Sequence, residues 1–99
     1  MMTNSKYNAM PDEEIVSLIQ AGDGSAMDYL FEKYKYLVRN KAKALFLIGG
    51  DKDDLIQEGM IGLYKAIRDY NKDRQSSFFN FADLCISRQI YSAIKVSNR

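Results

Sequence analysis

The fold is decided by the stretch Asp54-Leu55-Ile56-Gln57-Glu58-Gly59-Met60-Ile61-Gly62-Leu63-Tyr64-Lys65-Ala66-Ile67. Its apolar residues recur with the period of an α-helix. One apolar row is predicted to face a core and consists of Leu55, Gly59, Leu63, Ala66 and Tyr70. A second row beside it consists of Ile56, Met60, Tyr64 and Ile67. Each of the two interior glycines costs a helix about 1 kcal/mol relative to alanine. These features predict close helix neighbours on one side and a binding partner on the other.

The composition fits one small domain and includes few of the side chains that enzymes use for catalysis. The chain has 99 residues, 46% of them hydrophobic, which supports a single core. It has no histidine and one cysteine, Cys85, which excludes a zinc site, a Ser-His-Asp or Cys-His pair and an internal disulfide. No apolar run is long enough to span a membrane, and the first residues do not resemble a signal peptide. We expect a cytoplasmic protein that is not an enzyme and needs no cofactor.

The net charge of +1 conceals separate acidic and basic segments. Residues 51–58 are mainly acidic, and residues 32–43 are mainly basic. From Lys65 onward the chain has seven basic and three acidic residues, a local net charge of +4. The acidic residues suit a helix N-terminus and the basic ones suit a solvated helix face, so neither segment requires a partner. The segregation also allows each segment to meet a different partner.

Four or five helices and no strands are predicted. The pattern favours helices over about 11–22, 25–46, 52–70 and 77–96. Ser25 is a candidate cap for the second of these, and Ser76-Ser77 is the capping signal for the last. Because the connections are short, we expect an all-α fold, a compact antiparallel bundle of four to five helices.

The last predicted helix has an apolar side and a basic side. The apolar side consists of Ala82, Ile86, Ile90, Ala93 and Ile94. The opposite side carries residue types that contact bases and phosphates, namely Arg88, Ser92, Lys95 and Arg99. Before this helix, Lys72 and Arg74 lie among four aromatic residues, Tyr70, Phe78, Phe79 and Phe81. We expect at least one exposed ring that can stack on an unpaired base, although the rings would also suit a core.

Together these residues resemble conserved region 2 of the sigma-70 family of bacterial RNA polymerase sigma factors. The matching positions are the run 54–63, Lys65-Ala66, Phe78, Phe81-Ala82, Ile86, Ile90 and Arg99. Among family members, the pattern is most similar to the sigma-H type, which is associated with sporulation and stationary phase. The resemblance extends from about Asp12 to Arg99, nearly the whole chain.

The resemblance implies a transcription initiation factor domain with three binding surfaces. A surface for core RNA polymerase, through the coiled coil of its beta-prime subunit, would consist of Asp54, Gln57, Glu58, Met60 and Tyr64. A surface that melts the promoter −10 element and holds a flipped adenine of its non-template strand would consist of Tyr70, Lys72, Arg74, Phe78 and Phe81. A surface that reads the duplex edge of this element would consist of Arg88, Tyr91, Ser92, Lys95 and Arg99. The resemblance also allows an anti-sigma factor as a partner.

Two features depart from the family pattern. Housekeeping members have two tandem tryptophans where this chain has Leu84 and Cys85, which predicts weaker stacking at the upstream fork of the melted DNA. The chain also ends at Arg99 without a C-terminal promoter-binding domain. We therefore expect a fragment of a longer protein, with a flexible N-terminus at 1–11 and the region 2 domain at 12–99.

Other function classes remain open from the residues alone. A helical protein-protein adaptor without DNA binding would use the row of Ile56, Met60 and Tyr64, but it would not need a basic side on the last helix. A helix-turn-helix repressor would need a tight turn where this chain has a polar loop. An enzyme would have Asp54 and Glu58 as a carboxylate pair, with no metal ligands nearby.

Overall fold

Five α-helices form the part of the chain that the structure describes, and this part contains no strand. The structure is a computed structural model that describes residues 5–73 and 76–97. The helices are α1 (Ser5–Asn8), α2 (Asp12–Gln20), α3 (Gly24–Phe46), α4 (Lys52–Asp69) and α5 (Phe78–Ser97). The predicted all-α fold is confirmed, and the four longer helices lie close to their predicted bounds.

Within the stretch 1–11, for which a flexible N-terminus was predicted, the structure describes residues 5–11. Residues Ser5–Asn8 form α1, and Tyr7 is only 1% exposed. The Tyr7 hydroxyl donates to the Asp23 carboxylate at 3.0 Å, and its ring lies 5.3 Å from the Tyr29 ring. A single aromatic residue among polar ones has no helical period, so the sequence pattern could not indicate that this ring joins the core.

The start of α3 is capped by Asp23 and not by Ser25. The Asp23 carboxylate accepts a hydrogen bond from the backbone N–H of Ala26 at 3.1 Å. This bond favours the ionised carboxylate and lowers the pKa of Asp23, and the bond from Tyr7 acts in the same direction. Ser25 remains exposed in the first turn of the helix.

Helices α4 and α5 run antiparallel and in close contact. A methyl group on Gly62 would lie 2.9 Å from both the carbonyl oxygen of Cys85 and the Cα of Ile86. A methyl group on Gly59 would lie 2.6 Å from Val38 Cγ1 in α3 and 3.2 Å from Ile90 Cδ1 in α5. The two glycines therefore allow both neighbouring helices to approach α4, which confirms the prediction of close helix neighbours.

The second apolar row of α4 divides between the core and the surface. Ile67 is only 1% exposed and belongs to the core, because α2 packs over that end of α4. Ile67 is thus the member of the second row that is not left for a partner. Ile56 and Met60 are partly buried, and Tyr64 is 46% exposed. The row thus leaves an apolar surface on α4 that the four-helix core does not cover.

Polar contacts fix α2 and α5 to α3. Asp12 accepts a hydrogen bond from the Tyr34 hydroxyl and forms an ion pair with Lys33 at 2.7 Å. Burial raises the pKa of Tyr34, and the neighbouring Asp12 carboxylate raises it further. Lys41 forms an ion pair with Asp83 of α5 at 2.7 Å. These contacts hold α2 and the start of α5 against the same helix.

Candidate functional site

The exposed side of α4 carries the five residues that were predicted to bind core RNA polymerase. Asp54, Gln57 and Tyr64 are exposed, and Glu58 and Met60 are partly exposed. Ile61 was not among the predicted residues, but it is 43% exposed and adds apolar area to the helix. The structure therefore presents a mixed acidic and apolar helix face of the kind that docks on another helical protein.

Glu58 is held in place by α5. Its Oε1 accepts a hydrogen bond from Gln89 Nε2 at 2.8 Å, and Gln89 Oε1 accepts one from Lys65 Nζ at 3.1 Å. Gln89 was absent from the predicted site. A signal for it exists, because Gln89 interrupts the apolar series of Ala82, Ile86 and Ala93 on the inner side of α5. The Gln89 amide thus orients a carboxylate of the α4 surface.

A cleft of about 380 Å³ joins the α4 surface to the last helix. From α4 it is lined by Asp54, Gln57 and Glu58, and from α5 by Gln89 and Ser92. The predicted polymerase-binding and duplex-reading residues therefore lie next to each other on the α4–α5 pair. A partner bound to one surface would approach the other.

The aromatic cluster of Tyr70 and the first turn of α5 is more deeply buried than predicted. Tyr70 is 6% exposed and Phe78 is completely buried, with their ring centroids 5.4 Å apart. The Tyr70 hydroxyl donates to the carbonyl oxygen of Ser76 at 3.0 Å. The prediction for Phe78 is corrected here, because a side chain with no exposed surface packs the core and cannot contact a base.

The rings of Tyr70 and Phe81 do not form an open sandwich for a base. Their centroids are 5.7 Å apart, whereas a base between two rings needs about 7 Å, twice the contact distance between carbon atoms. Phe81 is partly exposed, and Phe79 is 50% exposed with its ring 6.2 Å from the Tyr34 ring. The expectation of an exposed ring is confirmed, and the ring with the larger exposed face is Phe79.

Two cations were predicted to accompany these rings. Lys72 is exposed at the edge of a cleft of about 700 Å³ between α2 and the end of α4. Arg68 on the same rim pairs with Asp69 at 2.8 Å, and this contact raises the pKa of Arg68. Arg74 lies outside the described residues.

The polar side of α5 brings three of its five predicted residues together. Arg88 and Ser92 are exposed, and Tyr91 is 51% exposed. Leu84, one turn before Arg88, is also exposed and extends the row. The side chain of Lys95 and the whole of Arg99 lie outside the described residues.

Two further observations concern the described residues as a whole. None of their helices is both long enough and apolar enough to cross a membrane. Their acidic and cysteine side chains form no group of three or more that would hold a metal ion.

Comparison with known proteins identifies the family. Residues 30–99 match the family described as Sigma-70 region 2. The RNA polymerase sigma-H factor of Bacillus subtilis (strain 168) is 52% identical over 94 residues, which cover 95% of this chain and 43% of that protein. The RNA polymerase sigma-H factor of Bacillus licheniformis is 48% identical over 97 residues, which cover 98% of this chain and 44% of that protein.

A more distant relative is the RNA polymerase sigma-F factor of Bacillus subtilis (strain 168). It is 33% identical over 95 residues, which cover 93% of this chain and 37% of that protein. The chain thus spans less than half the length of the three relatives compared. The resemblance to the sigma-H type is confirmed, because both sigma-H factors are much more similar to the chain than sigma-F is. The chain belongs to the sigma-70 region 2 family of RNA polymerase sigma factors.

Proposed function

We propose that this chain acts in transcription initiation by binding core RNA polymerase and recognising the promoter −10 element. The observation that carries the proposal is the α4–α5 pair, which combines an exposed acidic and apolar helix with an exposed polar helix across one cleft. The family match and the names of the relatives support the same function. The chain would act by binding and not by catalysis, in the cytoplasm with the polymerase.

The polymerase-binding surface would be the exposed side of α4. Tyr64, Met60 and Ile61 supply apolar area, and Gln57 and Asp54 supply polar groups around it. Interfaces of this kind combine aromatic and methionine anchors with a polar rim. The coiled coil of the beta-prime subunit is the partner that the family resemblance implies. An anti-sigma factor that bound the same surface would compete with the polymerase.

The −10 duplex would be read from the polar side of α5. Arg88 can form two hydrogen bonds with a guanine edge, and Tyr91 and Ser92 can contact bases or phosphates. The three side chains lie within about one turn of the helix and point away from the core, since their neighbours Ile86 and Ile90 are completely buried. This placement suits a helix that lies against a DNA groove.

The melted strand would be held at the start of α5. The partly exposed ring of Phe81 and the exposed ring of Phe79 can each stack on an unpaired base, and each stacked base contributes about 1–3 kcal/mol. Tyr70 would support Phe81 from the core side, because the Tyr70 ring is buried and packs against the Phe81 ring. Lys72 and Arg74 would neutralise phosphates of the same strand.

The test is whether the chain enables core polymerase to bind DNA that carries the −10 element. Core polymerase would be mixed with a fluorescent single strand that carries the −10 element of a sigma-H-type promoter, with and without the chain. We expect specific binding only when the chain is present. A chain that binds the polymerase but never confers DNA binding would instead be a helical adaptor.

A further inference from the structure

Helix α2 contacts both ends of the segment that joins α4 to α5, although it precedes the residues 30–99 that match the family. At one end of α2, Gln20 Nε2 donates to the carbonyl oxygen of Ile67 at 2.8 Å and to that of Tyr70 at 2.9 Å. Near the other end of α2, Glu13 Oε2 accepts a hydrogen bond from the backbone N–H of Phe78 at 2.8 Å. One short helix therefore bonds to Tyr70, which follows α4, and to Phe78, which begins α5.

These bonds satisfy backbone groups that helix ends leave without partners. The Ile67 carbonyl belongs to the last turn of α4, and the Phe78 N–H belongs to the first turn of α5. The carboxylate of Glu13 also interacts favourably with the positive end of the α5 dipole. At the same helix end, Ser77 Oγ accepts a bond from the Asn80 N–H at 3.2 Å. The bonds of Gln20 and Glu13 therefore fix where α4 ends and where α5 begins.

Glu13 and Gln20 reach the two helix ends from the same side of α2. They are seven positions apart, so they lie on the same side of α2, about two turns and 10 Å apart. The Tyr70 ring packs against both Phe78 and Phe81, with centroids 5.4 Å and 5.7 Å away. The two bonds that α2 supplies thus hold the backbone of Tyr70 and of Phe78, three residues before Phe81.

We propose that Glu13 and Gln20 are positioning residues for capture of the flipped base, an inference that rests on the melting function proposed for Tyr70 and Phe81. Neither side chain contacts DNA. Gln20 binds the backbone carbonyl of Tyr70, and Glu13 binds the backbone N–H of Phe78. These bonds keep the partly exposed ring of Phe81 in position when a base stacks on it. The cost of fixing Tyr70 and Phe81 in place is then met in folding and not during DNA binding.

The test compares alanine variants of both residues with matched controls on the same helix. Gln20→Ala removes the amide donor, and Glu13→Ala removes the carboxylate acceptor. Glu13→Gln keeps an oxygen acceptor for the Phe78 N–H and serves as the conservative rescue. The controls are Glu14→Ala, an exposed carboxylate beside Glu13, and Ser17→Ala, whose hydroxyl bonds to the Glu13 carbonyl within the helix at 3.2 Å.

The measurement is the affinity of each variant, assembled with core polymerase, for the −10 non-template strand with its key adenine present or replaced by an abasic site. We expect the adenine preference to fall about threefold to tenfold in Gln20→Ala and Glu13→Ala, the effect of one lost hydrogen bond. Glu13→Gln should retain most of the preference, and both controls should retain all of it. Affinity for the closed duplex should be unchanged.

Two results would overturn the proposal in distinguishable ways. If the wild-type complex shows no adenine preference, the proposed melting function fails, and this inference fails with it. If the wild type shows the preference and both alanine variants keep it while their melting temperatures fall, the two residues are structural only. Should Glu13→Ala fail to fold, Gln20→Ala decides the matter, because Gln20 is exposed and its loss leaves no buried gap.

Discussion

Gly62 lies directly against the backbone of α5, and its replacement by alanine should destabilise the chain. The new methyl group would lie 2.9 Å from Cys85 O and Ile86 Cα, which can move only if the helices separate. The cost of overpacking should exceed the gain in helix propensity, for a net loss of about 1–2 kcal/mol in the free energy of unfolding.

Urea unfolding of the variant measures this loss, and Gly24→Ala is the matched control. No atom lies within 4 Å of the position that a methyl group on Gly24 would occupy. The control should therefore be as stable as the wild type or slightly more stable. A Gly62→Ala variant that equals the control in stability would contradict the packing described for α4 and α5.

Arg88 should determine sequence preference at the upstream edge of the −10 element. Arg88→Ala should relax the preference at one or two base pairs by about 1–3 kcal/mol, the contribution of a good bidentate contact. Promoter selection with reconstituted polymerase measures the change. Arg39→Ala is the control, since Arg39 is exposed in a cleft lined by residues of α3 and α4. An unchanged base preference in Arg88→Ala would show that this side chain contacts only phosphate or solvent.

Single residues were predicted well where a helical period applies and poorly where it does not. The exposure of Asp54, Gln57, Arg88 and Ser92 follows from their places opposite the buried rows. Phe78 was assigned to a binding surface through the family resemblance, and only the contacts of its ring with Tyr34 and Tyr70 show that it is enclosed. The role of Gln89 depends on which residue of α4 it faces, a tertiary relation that one sequence does not contain.

The α4 surface should bind polymerase through Tyr64. Tyr64→Ala should weaken binding to a beta-prime coiled-coil peptide by about 1–2 kcal/mol or more, because truncation of an exposed aromatic anchor removes central interface area. Isothermal titration measures the affinity, and circular dichroism checks the fold. Tyr36→Ala is the matched control, because Tyr36 is 64% exposed on α3. Equal affinity of the two variants for the peptide would place the docking surface elsewhere.

The N-terminus of α3 should lose stability in acid through Asp23. The folded-state pKa of Asp23 is lower than its ordinary value of 3.8, chiefly because the Ala26 N–H bonds to the ionised carboxylate. The contribution of this group is thus fully present above pH 3.8 and is lost as the pH falls through the lower folded-state pKa.

Thermal melts of the wild type and Asp23→Asn between about pH 5 and pH 2 check this expectation. Asparagine is also a good helix cap but does not titrate, so the variant should lose less stability than the wild type over this range. Parallel losses in the two proteins would show that Asp23 does not titrate differently in the folded and unfolded states.

At the scale of whole elements, amphipathic periodicity and end signals were sufficient for α2, α3, α4 and α5. The interior glycines of α4 also indicated close packing before any neighbour was known. The short helix α1 was missed, because four residues give no period and Tyr7 is buried by contacts with Asp23 and Tyr29. The contacts of α2 with the ends of α4 and α5 were likewise absent from the prediction, since residues 65 positions apart are joined by one hydrogen bond.

Considered as a whole molecule, the chain places its proposed protein-binding and DNA-binding residues on adjacent helices. Asp54 and Glu58 lie across one cleft from Ser92, and the aromatic residues lie at the opposite end of the α4–α5 pair. Polymerase bound to α4 would therefore lie beside the DNA that we propose α5 contacts. The two helices thus share one core, and each leaves one face exposed for its proposed partner.

Strand selectivity tests the central claim most directly. The complex of the chain with core polymerase would be titrated with the −10 non-template strand and, separately, with the complementary strand of equal length and salt concentration. We expect at least about a tenfold preference for the non-template strand, since one stacked base alone contributes about 1–3 kcal/mol. Equal affinity for the two strands would show only the attraction of cations for phosphate, and it would contradict recognition of the −10 element by this domain.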